Sequence, residues 1–292
     1  MIDRRALIIA GAAAATACAT VSTASQPIDR RKRLSGFALN TESWFTDRPF
    51  QQRFDAAARS GFSHVEFWFL NDEDRKAETL AKVASDAGLS IAQIVGDAPE
   101  LARSDMRAQF LDNCRRAVER AHSLSTDIVT LVGHQNVEGI SQADSLKAYT
   151  DHMASAAPIF EDAKVFAAIE PFNPYDHPGH FIYGSSDAVE IVRTVGSSFV
   201  KLNWDLFHMQ RAEGELIGNL RKGADAICYV QIADAPDRHQ PGTGDVNYAN
   251  VIRQVRADGY DRPIGLEFWA KDGDYDQAVA DLLVLADAIS EG

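Results

Sequence analysis

The chain has 292 residues, of which 46% are hydrophobic, and its formal net charge is −13. One α/β domain of about 250 residues accounts for this length, so a second domain is not required. The excess of acidic residues argues against a nucleic-acid or anionic-membrane surface, which would need clustered Lys and Arg. Of the three cysteines, Cys18 lies near the N-terminus, whereas Cys114 and Cys228 lie in a helical and a strand pattern. We expect these two to be buried free thiols.

Residues 1–25 are typical of an export signal. Arg4 and Arg5 precede an Ala-rich apolar stretch from Ala6 to Ala19, and the small residues VSTAS follow. Two arginines before a weakly hydrophobic run match the bacterial twin-arginine signal. The run is too short for a stable membrane span. We therefore expect a periplasmic protein; the alternative is a cytoplasmic protein with a nonfunctional N-terminal extension.

The remaining sequence alternates apolar runs with helical patterns. Residues 26–33 form a basic segment that we interpret as a linker, and the barrel domain follows over 34–292. The predicted strands are 34–39, 64–69, 90–95, 127–133, 164–170, 199–205, 227–233 and 264–269. Helical patterns between them include 50–61, 77–88 and 187–196. Eight apolar strands separated by helices predict a parallel sheet closed into a single (β/α)8 TIM barrel, an α/β fold.

Four apolar runs in the C-terminal half end in residues that can bind a metal: Glu170, Asp205, Gln231 and Glu267. The gaps are 35, 26 and 36 residues, and one strand-helix unit of such a barrel takes about 31. The C-terminal ends of all eight strands lie on one face, so these side chains are expected to converge. One acidic residue at a strand end is more often a helix cap or an ion-pair partner, but four residues that can bind a metal in successive units favour a shared site. Oxygen ligands favour Mg2+ or Mn2+ over Zn2+.

Two loops at the same predicted face bear on the substrate. The loop at 173–184, NPYDHPGHFIYG, is rich in Pro, Gly and aromatic residues, which is typical of loops that cover a bound substrate. The loop after the seventh strand, PGTGDVNY, contains Asp245 and no Lys or Arg. Many barrels bind phosphate near this position, so a phosphorylated substrate is not expected.

Several long motifs carry a family resemblance. They are IEPFN, DHPGHF, KLNWDLFHMQRAEGEL, YVQIADAPDRHQPGTGDVNY and GYDRPIGLEF, with FALNTESWFTDRPFQQRFDAAARSGFSHVEFWF near the N-terminus. On these motifs the chain resembles the hydroxypyruvate isomerase group of the xylose isomerase-like barrel superfamily. The resemblance covers nearly the whole predicted barrel and is weakest over 90–160.

The resemblance implies roles for individual residues. The implied metal ligands are Glu170, Asp205, Gln231 and Glu267. The two glutamates are also the implied acid/base pair. His208 and Arg238 match positions that hold substrate oxygens, and Glu66, at the end of the second strand, is either a hydroxyl-binding residue or an ordinary rim residue.

The chain departs from the family pattern around this site. His134 stands where the family commonly has Lys after the fourth strand, and we include it among the substrate-binding candidates. After Glu267 the chain has Phe268 and Trp269, where the family tends toward Tyr and a basic residue. The implied metal ligands are therefore preserved, while the surrounding pocket is altered.

The resulting functional prediction is a metal-dependent isomerase. It would convert hydroxypyruvate to tartronate semialdehyde, or act on a close aldose–ketose analogue, by proton transfer through a metal-stabilised cis-enediolate. An epimerase of free ketoses or oxidised sugars would use the same residues, and a non-catalytic sugar-binding protein is an alternative of another class. An endonuclease of the same superfamily would need more His ligands and a basic groove. We expect a small hydroxy-carbonyl or sugar substrate and neither nucleic acid nor stable membrane insertion; a homo-oligomer remains open.

Overall fold

A closed barrel of eight parallel strands organises the structure, a computed structural model that describes residues 27–68 and 75–291. The strands neighbour one another in sequence order, and the last pairs with the first. They are β1 (Phe37–Asn40), β2 (His64–Phe67), β3 (Ser90–Val95), β4 (Ile128–Leu131), β5 (Phe166–Ile169), β6 (Val200–Asp205), β7 (Ile227–Ile232) and β8 (Ile264–Leu266). The predicted single (β/α)8 barrel is confirmed, and each strand lies where an apolar run predicts it.

Helices surround the barrel. In the described ranges they are α1 (Pro27–Arg33), α2 (Phe50–Ser60), α3 (Ala77–Asp86), α4 (Arg107–Ser123), α5 (Gln142–Ala163), α6 (Ser185–Val195), α7 (Leu206–Ala212), α8 (Leu216–Gly223), α9 (Tyr248–Ala257) and α10 (Tyr275–Ser290). The patterns at 50–61, 77–88 and 187–196 correspond to α2, α3 and α6. Helices α2 and α6 end at Gly61 and Gly196, whose φ angles of 104° and 70° lie in the left-handed region that glycine adopts without strain. None of the described helices is long and apolar enough to cross a bilayer.

The basic segment interpreted as a linker is instead helix α1. Arg33 forms an ion pair with Asp287 of α10 and donates a hydrogen bond to the backbone oxygen of Leu283 at 3.0 Å. Arg31 donates to the backbone oxygen of Gly88 at 2.6 Å. The basic side chains thus have partners on the folded domain, which hold this helix against the rest of the structure. The predicted export signal at 1–25 lies outside the described residues.

The apolar core and the barrel interior differ in composition. Leu80, Phe110 and Phe160 are among the fully buried helix residues that pack in the main hydrophobic core. The barrel interior is more polar. Its polar side chains with at most 1% exposure are Asn40, Glu66, Gln93, Thr130, Asn203, Tyr229 and Gln231. Buried polar groups need partners, and these side chains form hydrogen bonds with one another across the barrel. Cys114 and Cys228 are buried free thiols, as predicted.

Candidate metal and substrate site

The four predicted metal ligands lie at the C-terminal end of neighbouring strands. Asp205, the last residue of β6, is in register with Gln231 of β7, and Gln231 is in register with Gly265 of β8. Glu170 and Glu267 come directly after the last residues of their strands, β5 and β8. All four side chains are buried, at 0–6% exposure. The barrel therefore brings together residues that are far apart in the sequence.

Arg238 links two of these carboxylates. Its Nη2 donates to Glu267 Oε1 at 2.7 Å and to Asp205 Oδ2 at 3.2 Å. Its Cζ lies 4.9 Å from the ring centroid of Phe207 and 5.7 Å from that of Trp269. The backbone of Arg238 has a φ of 58°, a left-handed conformation that costs a non-glycine residue free energy and is common at functional sites. The guanidinium is thus held in place by carboxylates and aromatic rings.

The buried carboxylates carry more negative charge than Arg238 balances. Burial, followed by repulsion from Glu267 and Asp205, raises the pKa of Glu170 well above its ordinary value. Burial raises the pKa of Glu267 to about 8, although Arg238 opposes this change. Burial also raises the pKa of Asp205, again against the effect of Arg238. Three acids and one guanidinium in a buried site call for a further positive charge.

A divalent cation fits this requirement. Glu170, Asp205 and His208 offer ligand atoms that all lie within 4.8 Å of one another, and all three residues are buried. Carboxylate oxygens suit Mg2+ and Mn2+, and a mixed oxygen and nitrogen set also suits Zn2+. A buried Glu/Asp/His group that can hold a metal is therefore present in the described structure.

Asn173 determines which nitrogen of His208 carries a proton. Its Oδ1 accepts hydrogen bonds from the backbone N–H groups of Tyr175 and Asp176, both at 3.0 Å. The amide nitrogen of Asn173 must then donate to His208 Nδ1, at 2.7 Å. Since Nδ1 accepts, the proton of the neutral imidazole is on Nε2.

This tautomer makes His208 a hydrogen-bond donor toward the site. Its Nε2 lies 3.7 Å from Glu170 Oε1 and 3.6 Å from Asp205 Oδ2. Arg238 Nη2 lies 3.4 Å from the same nitrogen, but both atoms are donors in this tautomer and form no hydrogen bond with each other. Burial, and next the charge of Arg238, lower the pKa of His208, so the ring stays neutral. A protonated Nε2 can bind a substrate oxygen but cannot bind a metal. The hydrogen bonding thus favours His208 as a substrate residue over its use as a metal ligand.

Gln231 presents its amide nitrogen to the site. Its Nε2 donates to Glu267 Oε2 at 2.5 Å and to Glu66 Oε1 at 2.9 Å. Its Oε1 accepts from Asn203 Nδ2 at 2.6 Å. Metal binding through the amide oxygen, as the resemblance implies, would require the amide group to turn over.

Glu66 lies inside the barrel with 0% exposure. Its carboxylate accepts hydrogen bonds from the Tyr229 hydroxyl at 2.5 Å and Asn40 Nδ2 at 3.0 Å, besides that from Gln231. Burial raises its pKa, while the bond from Tyr229 opposes the rise. In this structure Glu66 therefore supports Gln231 and has no surface open to a substrate hydroxyl.

His134 belongs to a cluster of aromatic rings beside the site. It is fully buried, and its Nε2 donates to the backbone oxygen of Glu170 at 2.9 Å. Its Nδ1 lies 3.1 Å from Nδ1 of the half-buried His180, and burial lowers the pKa of His134 to about 3. His177 stacks on Phe172 with ring centroids 4.0 Å apart.

Three of these neighbours were not among the predicted site residues: Asn173, His177 and His180. All lie at 173–184, the segment predicted to cover the substrate. The two histidines of DHPGHF were the available signal, since imidazoles in a loop at the catalytic face are candidates for polar recognition. Asn173 offered no comparable signal, because its role depends on two backbone N–H groups that only the folded loop brings to its oxygen.

The chain belongs to the xylose isomerase-like TIM barrel family, whose model matches residues 54–287. Among curated relatives, the hydroxypyruvate isomerase of Escherichia coli is 29% identical over 80% of this chain and 92% of its own length. The 2-oxo-tetronate isomerase of Cupriavidus necator is 30% identical over 81% and 94%. These relatives confirm the resemblance to the hydroxypyruvate isomerase group and identify the protein as an isomerase.

Solved structures share the fold. A protein from Brucella melitensis described as an AP endonuclease of family 2 has a TM-score of 0.77 and 28% identity, and the match covers 81% of this chain and 94% of that one. The 3-keto-D-glucoside 4-epimerase of Escherichia coli has a TM-score of 0.74 at 20% identity, covering 87% and 99%. At 20% identity the second likeness concerns the fold alone.

Proposed function

We propose that this isomerase depends on a divalent metal and moves a proton between adjacent carbons of a small 2-hydroxy-carbonyl compound. The reaction would be of the hydroxypyruvate isomerase kind, on hydroxypyruvate or on a close aldose–ketose analogue. The observation that carries the proposal is the pair of buried glutamates, Glu170 and Glu267, which share one site with Asp205 and Arg238 at the catalytic face of the barrel.

The proposed chemistry makes Glu170 and Glu267 both metal ligands and proton-transfer groups. Glu170, Asp205, Glu267 and the turned amide of Gln231 would hold Mn2+ or Mg2+, which would supply Lewis-acid polarisation of the hydroxyl and carbonyl groups of the substrate. Glu170 and Glu267 would remove the proton from one carbon and return a proton to its neighbour, because their carboxylates can reach a planar enediol from two walls of the barrel.

The remaining residues would orient these groups. His208 would donate its Nε2 proton to a substrate oxygen, in the tautomer that Asn173 enforces. Arg238 would hold the Glu267 and Asp205 carboxylates close to each other by donating to both. Glu66 would act at a distance by positioning Gln231.

Epimerisation at a single carbon is a second candidate. It is favoured by the same observation, because two glutamates with raised pKa at one site can serve the two faces of one carbon. We also propose that residues 1–25 export the protein to the periplasm. Fractionation of cells that express the full chain, with a variant in which Arg4 and Arg5 are replaced by Lys, tests that location.

Solvent isotope exchange tests the proposed function. The purified protein, loaded with Mn2+ or Mg2+, would be incubated in D2O with a panel of keto acids, aldoses and ketoses and followed by NMR. We expect deuterium incorporation with migration of the carbonyl group, its loss on chelation, and recovery when the metal is restored. Deuterium with inversion at one carbon would instead establish the epimerase, whereas ligand binding without any exchange would contradict both.

A further inference from the structure

A cleft at the N-terminal face of the barrel lies at the opposite end from the candidate metal site. It has a volume of about 620 Å³ and is bordered by α1, α9 and α10. Phe37 and Ile264, the first residues of β1 and β8, line its inner wall. The charged side chains that line the cleft are Lys32, Arg33, Arg256 and Asp287.

Two of these four charges balance each other and two remain. Arg33 Nε donates to Asp287 Oδ1 at 2.9 Å, and its Nη2 forms an ion pair with the same carboxylate. Asp287 is the one acidic residue among the described residues that line the cleft. Lys32 is exposed, and its ammonium group has no partner in the described part of the chain. The cleft thus carries two unbalanced positive charges in a chain whose formal net charge is −13.

Arg256 is held in place by backbone oxygens and an aromatic ring. Its Nη1 donates to the backbone oxygens of Tyr260 at 2.9 Å and Arg262 at 2.7 Å, and its Cζ lies 5.3 Å from the ring centroid of Tyr260. Burial lowers the pKa of the half-buried guanidinium, although Tyr260 and Asp261 oppose this change. Asp261 lines a different cleft, beside Cys228. Arg256 is therefore a fixed, partly desolvated cation, and no carboxylate of the described residues bonds to it.

The Nε–Nη2 edge of Arg256 is open. Arg33 and Arg193 each use this edge to bind both oxygens of an aspartate. In Arg256, by contrast, Nη2 donates one long hydrogen bond, of 3.4 Å, to the backbone oxygen of Gly36. Within the described residues Nε has no acceptor. Such an edge presents two parallel N–H groups, which match two oxygens of an anion such as phosphate.

From these contacts we infer that the cleft binds a phosphate or sulfate group, with two of its oxygens on the Nε–Nη2 edge of Arg256 and a third on Lys32. Two unbalanced cations match the double charge of sulfate or of a phosphate group, whereas a single carboxylate would leave one of them unbalanced. The free inorganic ion and the ester of a small molecule share this chemistry. The inference does not depend on the proposed isomerase reaction, whose residues lie at the other end of the barrel.

Calorimetry with inorganic phosphate tests the inference. The full chain, freed of metal by chelation, would be titrated with phosphate, sulfate and chloride at constant ionic strength. We expect one site for phosphate and sulfate and none for chloride. Lys32→Glu should weaken phosphate binding at least about tenfold. Lys271→Glu makes the same change of charge at an exposed position on the opposite face and should retain it. No binding by the wild type, or equal affinity in the two variants, would overturn the inference.

Arg256→Lys tests the contribution of the open edge, because it keeps the charge and removes the paired N–H groups. We expect phosphate affinity to fall at least about tenfold in this variant as well. Circular dichroism checks its folding, since Arg256 also supports the backbone near Tyr260; the Lys32 and Lys271 pair decides the question if it does not fold. Unchanged affinity in folded Arg256→Lys would refute the assigned geometry. Tighter binding of glycerol 3-phosphate than of phosphate would support an ester as the ligand, and equal binding would support the free ion.

Discussion

Glu170 and Glu267 illustrate the conflict between stability and function in single residues. Each is 6% exposed, and burial raises the pKa of each carboxyl group. An apolar or neutral side chain would be easier to bury at either position. Their presence is therefore explained by chemistry rather than by packing.

Replacing either glutamate by glutamine is expected to remove catalysis and leave the fold intact. In Glu170→Gln and Glu267→Gln we expect the rate to fall by about 10²–10⁴-fold, the usual contribution of a general acid or base, with no decrease in Tm. Turnover and thermal unfolding measure the two effects. The exposed Glu138→Gln is the control and should match the wild type. Full activity in either site variant would eliminate the paired-glutamate mechanism.

The tautomer of His208 depends on one amide. In Asn173→Asp the carboxylate would keep its bonds to the backbone N–H groups of Tyr175 and Asp176 but could only accept from His208, so the imidazole proton would move to Nδ1. We expect a change in the 15N chemical shifts of His208 and a fall in kcat of tenfold or more. Unchanged shifts would show that the amide does not set the tautomer.

Strand β8 shows how an element as a whole positions the site. Gly265 faces the barrel interior, and a Cβ atom at this position would lie 2.5 Å from Glu66 Oε2 and 2.7 Å from Gln231 Cγ. Only glycine leaves room for these two side chains. Glu267, two residues along the strand direction, depends on the same close approach of β7 and β8.

Gly265→Ala is accordingly expected to disturb both stability and the site. Overpacking should lower the free energy of unfolding by about 1–3 kcal/mol, and displacement of Gln231 should reduce activity. Chemical denaturation and kinetics report on the two effects. Gly36→Ala is a suitable control, since its added Cβ would meet only Arg256 Nη2, at 3.6 Å. Equal stability and activity of Gly265→Ala and Gly36→Ala would argue against the close packing of Glu66 and Gln231 around Gly265.

His64, the first residue of strand β2, is expected to make the stability of the protein depend on pH without involving the site. Burial, and then the charge of Arg31, lower the pKa of His64 below its ordinary value of 6.5. The unfolded chain therefore binds a proton more readily than the folded one, and stability falls as the pH drops below about 6.5. In His64→Gln we expect a smaller loss of Tm between pH 7.5 and pH 5. An identical loss in wild type and variant would show that His64 does not contribute.

If the proposed metal binds, the closed barrel would couple folding to metal binding. Its candidate ligands come from β5, β6, β7 and β8, so the complete group forms only when these strands are in register. A cation that binds the folded state alone stabilises it by mass action. The same cation would neutralise the excess carboxylates, which are a source of instability in its absence.

Thermal unfolding with and without metal measures this coupling. At a Mn2+ concentration of 100 times Kd we expect about 2.7 kcal/mol of stabilisation and a rise in Tm of roughly 5–10 °C for a domain of this size. Chelation should reverse the rise, Asp205→Asn should abolish most of it, and Glu138→Gln should retain it. A shift of equal size in Asp205→Asn would place the bound ion elsewhere.

The sequence by itself determined the architecture and the candidate set. Apolar runs and helical periodicity are local patterns, and eight of them in alternation leave a parallel barrel as the natural closure. The positions of Glu170, Asp205, Gln231 and Glu267 at the ends of such runs then place them at one end of the barrel. The match to the xylose isomerase-like TIM barrel family, which covers residues 54–287, agrees with this barrel architecture.

Only the tertiary structure decided how these groups face one another. The bond from Arg238 to Asp205 spans 33 residues, and that from Gln231 to Glu66 spans 165. Local sequence does not encode which rotamer such partners select, and so the amide orientation of Gln231 and the burial of Glu66 were not predictable. The docking of helix α1 has the same origin, since its arginines find partners on distant elements. Hydrogen bonds between remote side chains form only in the assembled fold, whereas apolar periodicity is a property of the order of residues along the chain.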